Sequence, residues 1–482
     1  MKTVAIIGGK LQGVEAVYLA KKAGMKSLLI DKNPMAPASG FCDEMGVFDV
    51  FKKEPQLIEL LKKADFILPA LEVDEVHDAL LEISEQYGFK FAFDKGAYAI
   101  TSSKRKSDEL MRKHLIPTPK HFTSVRELQD ASETCDAYII KPSEESGSVG
   151  VFRVETVEEV RHFLDGANNH EEADNIENVY NSESWVVQEY LEGRSYSIEV
   201  IGIPGSYRTY EITEIHMDDE YDCKMVTAPC FISDSAQEGL SDSAKEELFD
   251  SAKDVFFDSV IDEFSKLAIR LAELVKLKGI MDVEVIDHNG TLKVLEIDAR
   301  IPSQTPMAVY HSSGVNLLSE LADITLNGKF TDKNLENDEL TNAKHEKEKD
   351  TSRSWKADEA SKKILMTVEA KSEKLTVSET DSSLLEKSGN ISDRVKTRKY
   401  TAIEHYLIDE TGAHHKGESI MGESRPLVYR ENFFGADEAL TDYDENKSVW
   451  RATFINSADS EEGLAQKRIE MLRQLNLSII KT

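Results

Sequence analysis

Four carboxylates alternate along two short runs of the chain, Asp282 and Glu284 within Gly279 to Ile286 and Glu296 and Asp298 within Leu292 to Arg300. His288-Asn289-Gly290 separates the runs, so they read as two strands around a turn. Side chains alternate faces along a strand, and an odd-length connection puts Met281, Val283 and Val285 on one side with Leu295 and Ile297. The four acids then share the other side. A three-residue loop with Gly290 left-handed in a bulge satisfies that count, and it sets Glu284 opposite Val294 and diagonal to Glu296. Crowded carboxylates repel unless a cation neutralises them, and an all-oxygen set suits magnesium, so Glu284, Glu296 and Asp298 are the expected metal ligands. Alone, the pattern also fits a solvated sheet face. Arg300 has the parity of Asp298 and adds a permanent cation at the same strand end, an arrangement suited to phosphoryl transfer.

Two further segments fit a nucleotide. Ile139-Ile140-Lys141-Pro142 ends a strand on a lysine, and the Ser/Gly loop to Gly150 that follows, with Ser146, Gly147 and Ser148, offers amides and hydroxyls to phosphates. No Gly-Lys-Ser triplet occurs and a strand follows the loop, which excludes a Walker P-loop. Lys104, near the start of a helix, is a second phosphate cation. Trp185 to Gly193 reads as a strand breaking at glycine, with adenine expected against Glu189, Tyr190 and Leu191.

The elements that must position these groups follow from periodicity. Residues 1–97 alternate strands (Val4–Ile7, Ser27–Ile30, Phe66–Pro69, Phe89–Phe93) with helical patterns, which predicts a βαβ domain with a parallel sheet. Its Gly8-Gly9-Lys10-Leu11-Gln12-Gly13 turn lacks the second glycine of a dinucleotide fingerprint, so hydride transfer is disfavoured. Lys10, Leu11, Gln12 and Glu72 still line the crevice at the strand ends as substrate contacts. The expected modules continue as 98–190, 191–331 with an acidic insertion at 232–262 holding an amphipathic helix at 246–257, a flexible acidic stretch at 332–396 with one apolar patch at Ile364–Val368, and a small α+β domain at 397–482. A separate helix is expected from Phe264, capped by a left-handed Gly279.

A formal charge of −31 argues against nucleic-acid partners, and no apolar run approaches a membrane span. Acidic insertions and a surface suited to high salt both account for the surplus. The spread of Cys42, Cys135, Cys223 and Cys230 fits free thiols in a cytoplasmic protein.

Taken in order, Lys104, the Lys141 strand and loop, the Glu189 hinge and the Glu284…Glu296-x-Asp298-x-Arg300 hairpin resemble the ATP-grasp superfamily. Within it, Gly8–Gly13, Tyr221-Asp222-Cys223, Lys278–Glu284 and Glu296–Pro306 are similar to the ligases of pyrrolysine biosynthesis, which join methylornithine to lysine. The resemblance spans about residues 1–155, 185–230, 264–330 and 398–478. It implies an α/β ATP-grasp fold, ATP and Mg2+ as cofactors, small amino acids as partners and a homodimer as one form of assembly. It also implies an acyl-phosphate route in which Arg300 and Lys141 are catalytic, and substrate contacts from Tyr221, Asp222, Arg300, Ser303, Gln304 and Thr305 beside those of the N-terminal crevice. Glu72 and Asp222 are the acids expected to meet substrate ammonium groups. A ligase for another amino-acid pair and a nucleotide sensor without turnover are the alternatives. The chain departs from the family pattern at Asp298, where asparagine is common, and at Ser195, near which an acid for ribose is usual.

Overall fold

Apolar residues fill both faces of the first sheet, which is why its strands read as near-continuous hydrophobic runs. A computed structural model of the chain describes residues 1–132, 135–144, 150–167, 184–230, 249–331 and 398–479. Strands β1 (Thr3–Ile7), β2 (Lys26–Asp31), β3 (Glu44–Val47) and β4 (Phe66–Pro69) are parallel in the order β3-β2-β1-β4. Helix α1 (Leu11–Lys22) covers Val4, Ile6 and Leu29, and α2 (Pro55–Leu61) and α3 (Asp74–Tyr87) cover Ala5, Ile7, Leu28 and Ile30. The strand expected at Phe89–Phe93 shrinks to a single parallel bridge between Ile67 and Phe91. In the glycine turn a Cβ on Gly13 would fall 2.1 Å from the Gly8 carbonyl oxygen, so this glycine serves close helix packing. Asp31 accepts the Gly9 N–H at 2.8 Å and holds the turn.

Next come α4 (Lys95–Thr101), α5 (Lys104–Lys113), α6 (Val125–Ala131) and α7 (Val157–Ala167), with strands β5 (His121–Phe122), β6 (Tyr138–Pro142), β7 (Phe152–Val154) and β8 (Trp185–Glu189). These strands form an antiparallel sheet ordered β5-β8-β6-β7. Phe122, Tyr138, Ile140 and Val187 pack under Leu128, Val160 and Leu164 of the helices.

The largest sheet begins with β9 (Arg194–Ile203), β10 (Ser206–Thr209), β11 (Thr213–Met217), β12 (Cys223–Ala228), β13 (Gly279–His288) and β14 (Thr291–Asp298). It continues without a break into β15 (Tyr400–Asp409), β16 (Gly412–His415), β17 (Val428–Phe433), β18 (Ala436–Thr441) and β19 (Trp450–Ala458), in the order β14-β13-β9-β11-β12-β15-β19-β18-β17. Helix α8 (Phe249–Val275) covers one face, packing Phe264, Ala268 and Leu271 on Met281, Val283 and Val285. On the other face lie α1, α9 (Thr305–Ser313) and α10 (Leu317–Asn327), which bury Ile201 and Ile280. Two more helices, α11 (Ser419–Gly422) and α12 (Glu461–Ile479), belong to the C-terminal part.

Helix α8 corrects two expectations. The helix expected at 246–257, of which 249–257 are described, and the separate one expected from Phe264 are one 27-residue helix. Its left-handed cap is Lys276, at φ 55°, while the Leu277 N–H reaches back to the Ala272 carbonyl. Gly279 instead opens β13.

The hairpin register is corrected too. Asn289 and Gly290, both left-handed at φ 54° and 74°, form a two-residue turn that closes on His288 opposite Thr291. That turn alone would pair Glu284 with Leu295 and send Glu296 into the α8 core. A bulge absorbs Leu295, so Val285 faces Val294 while Glu284 faces Glu296, not Val294 as expected from the three-residue loop. The acids reach one face through the bulge, not through the loop.

Candidate functional site

Asp282, Glu284, Glu296 and Asp298 all project from the sheet face opposite α8, paired Asp282 with Asp298 and Glu284 with Glu296. The neighbouring strand continues the same face, with Glu199 of β9 opposite Asp282 and Ser197 opposite Glu284. Asp282 and Asp298 are buried. Loss of hydration and then the charges of Glu296 and Asp298 push Glu284 up to about 8. Burial likewise raises Asp282 and Asp298, against the pull of Arg300.

Basic groups arrive from three directions. Lys104, at the start of α5, pairs with Glu296 at 3.1 Å, and its backbone N–H binds the Ser143 carbonyl at the end of β6. Lys141 of β6 is buried; desolvation lowers its pKa, and Glu296 opposes that shift. Arg300 lies just beyond β14, its Nη2 2.9 Å from Asp298 and its Nε 2.7 Å from Glu72 in the loop after β4. Burial disfavours the Arg300 charge, but Asp298, Glu72 and Asp282 outweigh it and raise the pKa. Gln12 of α1 donates to the same Glu72 at 2.6 Å. Glu72 therefore links α1 to Arg300, where the sequence suggested a partner for a substrate ammonium.

Glu296 and Asp298 are thus in ion pairs with Lys104 and Arg300. Among the described residues no three His, Cys, Asp or Glu side chains already converge as a ligand set. The chemistry of the face nevertheless fits a divalent cation: four acids share it, and burial disfavours the charge of Asp282, Glu284 and Asp298, which a bound cation would restore.

The remaining expected residues fall around this face. Glu189 accepts from the Lys120 N–H and from Lys293, both at 2.8 Å, which fixes the end of β8. Tyr190 lies under the Arg153 guanidinium at 4.3 Å, and Leu191 is buried. Ser146, Gly147 and Ser148 lie outside the described residues, as do the Ile364–Val368 patch and most of both acidic stretches. Lys10 is exposed at the head of α1, with Leu11 half-buried behind it. Asp222 accepts the Ser419 N–H at 3.1 Å, and Tyr221 precedes it in a left-handed conformation at φ 62°.

Ser303, Gln304 and Thr305 lead into α9. Gln304 is a buried hub at φ 67°, its side-chain carbonyl accepting from His405 at 2.7 Å and its N–H donating to Glu15 at 3.1 Å. The pKa of His405 falls to about 3 through burial, which keeps the ring neutral. Ser303 donates to Glu418 at 3.0 Å.

Glu15, Glu199 and Glu418 escaped the sequence reading. Glu199 did carry a signal, as a lone acid in the apolar run Tyr196 to Ile201, with the face parity of a site residue. Glu15 sits among Val14, Ala16 and Val17 on a helix, where a polar residue every few positions is ordinary. Glu418 joins only through tertiary contact.

Comparison with known proteins supplies the family. An ATP-grasp domain model matches residues 101–304. The 3-methyl-D-ornithine–L-lysine ligase of Methanosarcina mazei is 37% identical over 321 residues, 67% of this chain and 71% of that protein. Its counterpart in Methanosarcina acetivorans is 39% identical over 322 residues, 67% and 73% of the two chains. Among solved structures, biotin carboxylase of Campylobacter jejuni aligns with a TM-score of 0.58 at 12% identity, covering 100% of this chain and 96% of that one. The L-amino acid ligase of Bacillus licheniformis aligns at 0.53 and 12%, covering 98% of each. These two likenesses carry the fold, and the closer sequences carry the rest: the chain belongs to the 3-methyl-D-ornithine–L-lysine ligase family of ATP-grasp proteins.

Proposed function

We propose that the chain is an ATP-dependent amide ligase that joins the carboxylate of (3R)-3-methyl-D-ornithine to the ε-amine of L-lysine in pyrrolysine biosynthesis. The observation that carries this is the single sheet face bearing Asp282, Glu284, Glu296 and Asp298, met by Lys104, Lys141 and Arg300. Binding alone does not call for cations on a reacting phosphate; stabilising developing charge does.

In the proposed reaction a carboxylate oxygen of methylornithine attacks the γ-phosphorus of ATP, and ADP leaves with the bridging oxygen. The lysine ε-amine then attacks the acyl carbon, phosphate departs with the transferred oxygen, and the amine loses a proton. Glu284, Glu296 and Asp298 would hold Mg2+, which would supply charge neutralisation to the phosphates. Lys104 and Lys141 hold phosphate oxygens, and Lys141, already stripped of water, offers a stronger interaction than a surface lysine. Arg300, fixed by Glu72 and Asp298, meets the charge that builds on the transferring group. Ser146, Gly147 and Ser148 wrap the phosphates, and Glu189, Tyr190 and Leu191 border adenine. Lys10, Leu11, Gln12, Tyr221, Asp222, Ser303, Gln304 and Thr305 bound the amino-acid space.

Among the described residues no helix is long and apolar enough to cross a membrane, and the four cysteines are free thiols. Both fit the proposed cytoplasmic location. The test is mass spectrometry of the products from ATP, Mg2+, lysine and 3-methyl-D-ornithine. The expected result is one new amide with ADP and phosphate in equal amounts, formed only when both amino acids are present. ADP release with one amino acid alone, or none with both, contradicts the reading.

A further inference from the structure

One buried histidine near the site takes no part in the proposed reaction. His77 of α3 is 0% exposed, its ring 4.2 Å from that of Phe93 and edge-on to Tyr98 at 4.8 Å. A ring in such a cluster serves as filling, and a phenylalanine would fill the same volume. Filling does not account for the nitrogens. Nε2 lies 2.9 Å from the Leu71 carbonyl oxygen, which can only accept, so Nε2 carries the proton. Burial lowers the pKa of the ring against the pull of that bond, which leaves Nδ1 bare, and within the described structure Nδ1 has no hydrogen-bond partner. A phenylalanine would avoid that orphaned buried nitrogen. What the histidine adds is the bond to Leu71.

Leu71 immediately precedes Glu72 in the loop between β4 and α3, and Val73 to Glu75 beyond them are exposed. The Ala70 N–H binds the Ile7 carbonyl at 2.8 Å, and the His77 ring makes the next attachment along this backbone. Glu72 then reaches Arg300 Nε at 2.7 Å and accepts from Gln12 at 2.6 Å. The neighbouring helix holds Arg300 from the backbone side: Thr101, one turn after Tyr98 on α4, accepts the Ala299 N–H at 3.0 Å. A misplacement of about 1 Å at a reacting centre costs up to about 100-fold in rate, so the way this loop is tied down bears on the chemistry.

We infer that His77 is a positioning residue of the ligase reaction: through the Leu71 carbonyl it sets the Glu72 carboxylate, and through Glu72 it aims Arg300 at the transferring phosphoryl group. The inference rests on the ligase reading given above. It puts a determinant of turnover on α3 of the N-terminal domain, outside every proposed nucleotide and metal contact.

The test measures ADP release by the full-length enzyme with ATP, Mg2+, lysine and 3-methyl-D-ornithine. His77→Phe keeps the ring and its packing and deletes the donor. Its kcat should fall at least ~10-fold while KM for ATP stays within about 2-fold, because Arg300 acts on charge that develops in the transition state. His77→Gln, which loses the ring but can still donate, should recover at least about one third of the wild-type kcat. Coupling separates positioning from packing: in a Glu72→Gln background, His77→Phe should lower kcat by no more than about 2-fold further. Should His77→Phe fail to fold, His77→Leu carries the same comparison. An unchanged kcat in the folded variant overturns the inference, as does a His77→Gln as slow as His77→Phe. A loss of equal size in both backgrounds, which simple loosening of the fold would give, overturns it too. Absence of ADP release by the wild type sinks the ligase reading itself, whereas an active wild type beside any of these three results sinks only the role of His77.

Discussion

Glu284 and Glu296 stand directly opposite each other across β13 and β14, two like charges at a position where sheet neighbours repel. A fold keeps such a pair only if something else benefits. Lys104 already compensates Glu296, while Glu284 is left with a strongly raised pKa. The strain on this pair is the clearest mark of a site prepared for a cation.

Glu296→Gln removes one side of the pair and the Lys104 ion pair together. Turnover should fall at least ~100-fold, the loss typical of one electrostatic stabiliser, while thermal unfolding stays cooperative. Steady-state ADP release with a parallel melt reads both, and a near-normal rate refutes the assigned role.

Glu72→Gln tests how Arg300 is held. Glu72 joins Gln12 to Arg300, so its neutral analogue leaves a buried guanidinium short of one counter-charge. A cost of about 1.5–3 kcal/mol, as for a lost charged hydrogen bond, should fall on kcat/KM, with Arg300→Lys losing more because an ammonium lacks the planar fork. Equal activity of Arg300→Lys and wild type would remove Arg300 from the chemistry.

Stability in the absence of ligands should fall as pH rises. Burial raises Glu15 from 4.5 to about 8 and Glu199 from 4.5 to about 7. Between the unfolded and folded values the native state holds protons that the unfolded chain has released, so raising pH across that window disfavours folding. Tm should decline from about pH 4.5 to pH 8, and Glu15→Gln should flatten the decline across that window. A wild-type Tm that rises through this window contradicts the burial of these groups as acids.

The turn gives a purely structural check. Gly290→Val forces a branched side chain into a left-handed position and should destabilise the protein by about 1–2 kcal/mol. Asn289→Gly should stay within about 0.5 kcal/mol, since glycine accepts the same conformation. Equal effects on chemical denaturation would argue against the two-residue turn.

Much of this was legible in the sequence because period-two alternation is local. Asp282, Glu284, Glu296 and Asp298 announce a shared face wherever the strands pair, and the Val4–Ile7 and Ser27–Ile30 runs announce a buried parallel sheet. The route to that shared face was not legible: a three-residue loop and a two-residue turn with a bulge give the same parity, and only the pairing of Val285 with Val294 separates them. Glu72 was picked out, but its link to Arg300 spans most of the chain and leaves no local mark. Lys276 took the cap expected at Gly279 because the Leu277 N–H had the Ala272 carbonyl within reach, a matter of helix length rather than residue type.

Transfer of oxygen is the central claim, and an isotope reads it directly. With heavy oxygen in the carboxylate of 3-methyl-D-ornithine, the account predicts one labelled oxygen in each phosphate released and one retained in the amide. Label absent from the phosphate, or present in AMP, would contradict an acyl-phosphate made on this sheet face.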